Sequence, residues 1–281
     1  MTKPTNRADF RRVALSYLAL AVFALFALYP ITQIITIALR PGDQLLSTSL
    51  APIPKGATLA NFRILITETS FLRWLGNSTL IALAVTLTGV ALASTAGYAL
   101  SRFRFLGRST MLNGLLVTQM FPATMLLLPL YLILIKLHLI NSYVGVIIIY
   151  AATALPFCIW QLKGYYDTIP ISLEEASGLD GCSRWQSFYL IVLPLAAPAL
   201  VITALLSFMT AWNEYVVAAI MLQDVKIFTL PLGLKMFQAN MGTEWGLYAA
   251  GALLVSIPVV LLFLFLSRYL ISGLSSGAVK G

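Results

Sequence analysis

Charge is scarce in this chain. Only 10% of its 281 residues are Asp, Glu, Lys or Arg, against roughly a quarter in ordinary soluble domains. With 59% apolar residues beside that deficit, a soluble globule is excluded. Cysteine is nearly absent as well. Cys158 lies in an apolar run and Cys182 in a polar one, which offers neither a disulfide framework nor a thiolate metal set. The lone histidine, His138, stands near Lys136 at the end of an apolar stretch and reads as a solvated interface residue. No paired carboxylates or His and Cys converge on it, so neither catalytic residues nor metal ligands are expected. No G-x-x-x-x-G-K-[ST] occurs, so any nucleotide chemistry has to come from another chain. The net charge of +8 is dispersed, with no aromatic-interleaved basic patch, and nucleic acid is not an expected partner.

Long apolar runs are what the chain has instead. A helix needs about 20 such residues to cross a bilayer, and the pattern predicts a single all-α, polytopic membrane domain over 1–281. Six spans are expected, at 13–39, 77–100, 111–135, 142–162, 195–222 and 246–270. The first follows Lys3, Arg7, Arg11 and Arg12; it is longer than the 7–15 or so apolar residues of a signal peptide, so it reads as a retained span kinked at Pro30. In the second, Gly89, Ala93 and Gly97 recur every fourth residue, a stripe suited to close helix contact in lipid. Pro122 and Pro129 fall inside the third. On this map 11 of the 18 Lys and Arg flank the spans on one side and 7 on the other, which places both termini in the cytoplasm.

Between the fourth and fifth spans lies a polar island, 163–194. Pro170 stops helix from running in, and Ser172 with Glu175 then fits a capping box, as does Ser183 with Gln186. Gly181 between them permits a sharp turn. The expectation is helix, glycine elbow, helix, with Glu174 and Glu175 in the first turn, where carboxylates suit the helix dipole.

Glu175-Ala176-Ser177-Gly178-Leu179-Asp180-Gly181, followed after nine residues by Ile191-Val192-Leu193-Pro194, resembles the "EAA loop" of permease subunits of bacterial binding-protein-dependent ABC importers. The resemblance covers roughly 75–281 and is strongest at 165–200. Ser177 and Cys182 depart from it, since Ala is usual at both. It implies that Glu174, Glu175, Ala176, Ser177, Gly178, Asp180 and Gly181 form a coupling element seated in a separate ATPase. A second homologous permease, a pair of ATPase subunits that bind the ATP and Mg, an extracytoplasmic solute-binding protein and the bacterial cell membrane lipid are the implied partners; this chain itself carries no cofactor. The C-terminal Val279-Lys280-Gly281 and the Trp245-Gly246 step resemble the smaller permeases of the maltose-type branch, which implies a sugar cargo such as maltose or trehalose.

Two further stretches are candidates. Trp212-Asn213-Glu214-Tyr215 falls inside the fifth span, where a carboxylate costs about 2.5–3.5 kcal/mol. It reads either as a polar wall of a sugar path or as an interhelical or interfacial contact. Phe237, Gln238, Asn240 and Trp245 mix polar and aromatic groups as carbohydrate-gripping loops do, and their position resembles the loop with which the smaller permeases of the maltose-type branch reach into the binding protein; an ordinary aromatic belt is the alternative. An ABC permease for a non-sugar solute and an ion-coupled secondary transporter are the competing functions.

Overall fold

The computed structural model describes residues 7–42, 45, 53–121, 123–238 and 242–278. Expectations resting on Lys3, Pro122, Asn240 and the Val279-Lys280-Gly281 tail lie outside these. Among the described residues the structure is helical without a strand: α1 (Arg7–Leu39), α2 (Ala60–Thr67), α3 (Phe71–Arg102), α4 (Arg108–Met120), α5 (Ala123–Lys136), α6 (Tyr143–Tyr166), α7 (Ile171–Leu179), α8 (Arg184–Ser187), a π-helical turn (Phe188–Val192), α9 (Leu193–Leu195), α10 (Ala197–Asn213), α11 (Val216–Met221), α12 (Leu230–Lys235) and α13 (Trp245–Ala278). Among the described residues four helices are long and apolar enough to cross a membrane, and the number rises to as many as six if each of two bent pairs, Arg108–Met120 with Met125–Lys136 and Arg184–Leu195 with Ala197–Asn213, is one span.

The chain forms two compact units, one of 1–69 with 234–255, the other of 70–233 with 256–281. In the first, α1 runs through Pro30 as one helix with an exposed apolar surface. Its C-terminal carbonyls would otherwise be orphaned. The Asn61 amide donates to the carbonyls of Ala38 (2.9 Å) and Arg40 (3.2 Å). Gly246 comes so close that a Cβ there would sit 2.5 Å from the Asn61 side chain.

The second unit is built on α3, which packs most extensively against α6 and then α10. In lipid this packing rests on close approach, because lipid tails are as apolar as the side chains they would replace. The small-residue stripe makes that approach. A Cβ on Gly97 would stand 3.1 Å from the Lys163 amide nitrogen and 3.3 Å from the Ile159 carbonyl of α6, and one on Gly89 3.3 Å from Ser207 Oγ of α10. Ala93 is buried between them with Ala196 and Ala199.

Two expected spans are broken. In place of one helix over 111–135 there are α4 and α5, bent by 104°. Phe121 is extended (φ −78°, ψ 130°), as the residue before a proline prefers to be, whereas Pro129 stays inside α5. The expected fifth span, 195–222, stops at Asn213 and restarts at Val216. Glu214 is extended there (φ −72°, ψ 124°), and its carboxylate accepts the amides of Val217 (3.0 Å) and Ala218 (3.3 Å). An acceptor at a helix start competes with continued helix.

At the Phe71 end of α3, side chains close a loop that sequence spacing does not reveal. Trp74 Nε1 donates to the Val225 carbonyl, and Asn77 Nδ2 to those of Lys226 and Phe228. Tyr143 Oη donates to Asn77 Oδ1. Asn141, in the left-handed region at φ 54°, accepts from the amides of Gln223 and Asp224.

Candidate functional site

The island folds as helix, elbow, helix, with one correction. The predicted capping box at Ser172 and Glu175 is absent: α7 begins two residues earlier than that box implies, at Ile171, with Pro170 as its cap residue and no side-chain cap bond. Proline already stops the incoming chain and sets the boundary ahead of Ser172. The second box is present. Ser183 Oγ accepts from the Gln186 amide, and Gln186 Oε1 accepts from the Ser183 amide. Gly181 turns the elbow at φ +89°, with open space where a Cβ would be.

The elbow's two arms are fastened by a residue that departs from the usual pattern. Ser177 is buried, and its hydroxyl meets that of Ser187 at 2.5 Å while donating to the Glu174 carbonyl at 2.8 Å. A serine at 177 thus matches a serine at 187, where alanine would leave the second hydroxyl with only its Ser183 carbonyl. Below it, Phe188 is fully buried with Tyr98, Tyr166, Leu162 and Ile169; Tyr98 and Phe188 ring centroids are 4.6 Å apart.

The neighbouring glutamates part company. Glu174 turns inward: its carboxylate accepts from Arg102 Nε at 2.5 Å and from Tyr98 Oη at 2.6 Å. Arg102 also donates to the Ile169 carbonyl at 3.0 Å. Glu175 is exposed, as are Ala176, Gly178, Asp180 and Gly181. The exposed side also carries large apolar groups: Leu179 is 91% exposed, with Trp185, Tyr189 and Leu190 uncovered near it in sequence. Arg184 lies over the Phe103 ring, 5.2 Å from its centroid. Arg102 and Tyr98 were missed as site residues, because the arginine reads in sequence as a marker of the membrane boundary. Nothing in spacing ties it to a carboxylate 72 positions away.

The other candidates are not gathered at the island. Trp212 is buried and stacked on Phe208 (5.3 Å between centroids). Asn213 Nδ2 donates back to the Met209 carbonyl, Tyr215 is exposed, and Glu214 is engaged in the α11 cap. In the other unit Phe237 is buried, Gln238 accepts from Lys235 Nζ, and Trp245 is half-buried. Sequence did not single out a recess of about 440 Å³ lined by Thr118, Gln119, Phe121 and Pro129 with Ala152, Thr153 and Pro156 of α6. Gln119 Nε2 donates to the Thr153 carbonyl at 3.4 Å, and the Thr118 and Thr153 hydroxyls donate to the carbonyls of Leu115 and Tyr150, so the polar side chains lining the recess are tied to backbone. Among the described residues no group of His, Cys, Asp and Glu could hold a metal ion.

Residues 87–276 match the model of the binding-protein-dependent transport system inner membrane component family. The chain is 37% identical to the maltose/maltodextrin transport system permease protein MalG of Salmonella typhimurium, over 96% of each chain. It is 36% identical to that of Escherichia coli K12, again over 96% of each. Among solved structures, a chain of a bacterial ABC transporter that imports the acidic polysaccharide alginate superposes with a TM-score of 0.82 at 24% identity, covering 95% of this chain and 99% of that one. A chain of the MetNI methionine ABC transporter superposes at 0.57 and 17% identity over 72% of this chain and 95% of that one. With the signature island at 175–194 and the family match over 87–276, the chain belongs to the inner membrane components of binding-protein-dependent transport systems.

Proposed function

We propose that this chain is a permease subunit of a sugar importer of the maltose and maltodextrin class, coupling solute passage to ATP hydrolysis by separate ATPase subunits. The observation that carries the reading is the two-sided island. Glu174 and Phe188 are paired and packed against α3 and α6, while Leu179, Trp185, Tyr189 and Glu175 are each exposed. Exposed apolar groups at a polar, well-ordered surface suit a protein partner. That partner is a pair of ATPase subunits on the cytoplasmic side, binding ATP and Mg. A second homologous permease completes the path, and a sugar-binding protein delivers solute from outside. The sugar class is carried over from the relatives named for maltose and maltodextrin. An importer of a non-sugar solute is the second reading, because the methionine transporter has the same fold. Asn213, Tyr215 and the recess at Thr118, Gln119, Phe121 and Thr153 are the surfaces of this subunit proposed to border the path, and the loop carrying Phe237, Gln238, Asn240 and Trp245 is proposed to meet the binding protein.

The free energy of hydrolysis enters where the ATPases bind the two transporter states unequally, which is all that a ligand-driven transition requires. Uptake of radiolabelled maltose and trehalose by membranes containing the whole transporter is expected to stop with vanadate and to persist with a proton uncoupler. Uptake abolished by the uncoupler and indifferent to vanadate would overturn the importer reading in favour of an ion-coupled transporter.

A further inference from the structure

Arg102, Tyr98 and Glu174 do more than hold the island in place. Glu174 is in the first turn of α7, and both its carboxylate oxygens are held by α3, one by Arg102 and one by Tyr98 a turn earlier. Arg102 reaches past it to the Ile169 carbonyl, so the same side chain grips the strand of chain that leads into α7. A second strut runs beside the first: Ser101 Oγ donates to Asp167 Oδ1 at 2.6 Å, and Lys163 Nζ pairs with Asp167 Oδ2 at 2.6 Å, tying the end of α3 to the end of α6. The Arg102 and Glu174 side chains are only 7% and 12% exposed. Their bonds are therefore weakly screened and directional, unlike the aromatic packing beneath, which tolerates sliding. A carboxylate held at both oxygens cannot rotate or slip along α3 without breaking a charged hydrogen bond. Any displacement of α7 is thereby passed to α3, and through the tight Gly97 contact to α6.

Resting on the importer reading above, we infer that the Arg102–Glu174–Tyr98 latch is the rigid joint through which movement of the island becomes movement of the membrane helices, with Arg102 and Glu174 as positioning residues for coupling. They touch neither nucleotide nor solute. Their loss shows as ATP hydrolysed without transport.

The test uses the whole transporter in proteoliposomes, with maltose and trehalose as probes, and measures sugar moved per ATP hydrolysed together with the ATPase retained on purification. Removing one charge alone leaves the other buried and unpaired, so the informative variant is the double Arg102→Gln/Glu174→Gln, which has no orphan charge. It is expected to retain ATPase and hydrolysis while sugar per ATP falls about fivefold or more. Arg102→Lys, which keeps a cation against Glu174, should stay within about twofold of the unaltered ratio. An unchanged ratio in the double variant overturns the inference, as does loss of the ATPase subunits from it, which would mark the latch as a scaffold only. An equal deficit in Arg102→Lys and Arg102→Gln also overturns it. Absence of ATP-linked uptake in the unaltered transporter would instead sink the importer reading itself.

Discussion

Asp167 sits where α6 has just ended, between Lys163 one turn back and Ser101 on α3. Partial burial pushes its carboxyl up, but the hydrogen bonds from Lys163 and Ser101 and the positive charges of Lys163 and Arg108 together outweigh that and hold it below the usual carboxylate range. A carboxylate whose pKa is depressed on folding contributes stability above its unfolded value, about 3.9, and loses it as the pH falls through the folded value. Asp167→Asn is therefore expected to lower the thermal midpoint at neutral pH, with the gap from the unaltered protein closing as the pH drops below about 4. A gap constant with pH would mean that the charge contributes nothing. At this scale the sequence is a poor guide. It placed Glu174 and Glu175 together in one helical turn, yet one is buried in an ion pair and the other is exposed. The choice depends on where α3 lies, and no local propensity encodes that. Trp212 and Glu214 read in sequence either as a sugar-binding wall or as an interhelical contact; the structure stacks the first on Phe208 and uses the second to cap α11.

Helices and their contacts were more legible. The four-residue recurrence of Gly89, Ala93 and Gly97 puts them on one face by helical geometry alone, and that face makes the close contacts to α6 and α10. With the Lys163 nitrogen 3.1 Å from where a Cβ would be, Gly97→Leu has no room. It should cost about 1–3 kcal/mol and sharply reduce the amount of folded protein, measured by size-exclusion of detergent extracts, whereas Gly76→Leu, with open space around it, should not. The interruptions were not legible. Long apolar runs predict continuous spans, but the run 111–135 divides at Phe121 and the run 195–222 at Glu214. In the first a proline constrains its predecessor; in the second a carboxylate captures the next two free amides. Both effects are local, but hydrophobicity does not report them. The Ser172 box failed for the converse reason, since the motif was present and Pro170 had already set the boundary.

At the scale of the whole molecule, the island is the part proposed to dock the ATPase subunits. Glu175 is exposed, so Glu175→Lys should change folded stability by no more than about 0.5 kcal/mol. It is expected to reduce ATPase subunits recovered with the permease roughly tenfold at unchanged membrane abundance; full recovery would remove this residue from the docking face. Composition, run length and the 175–194 spacing were sufficient for the class and the family, because each is a property of residues near one another along the chain. The Arg102–Glu174 latch, the Ser177–Ser187 staple and the burial of Trp212 were decided only when α3, α6, α7 and α10 came together. Pairings between residues tens of positions apart depend on helix position and rotation, which in lipid are governed by close packing rather than by any pattern that can be read along the chain.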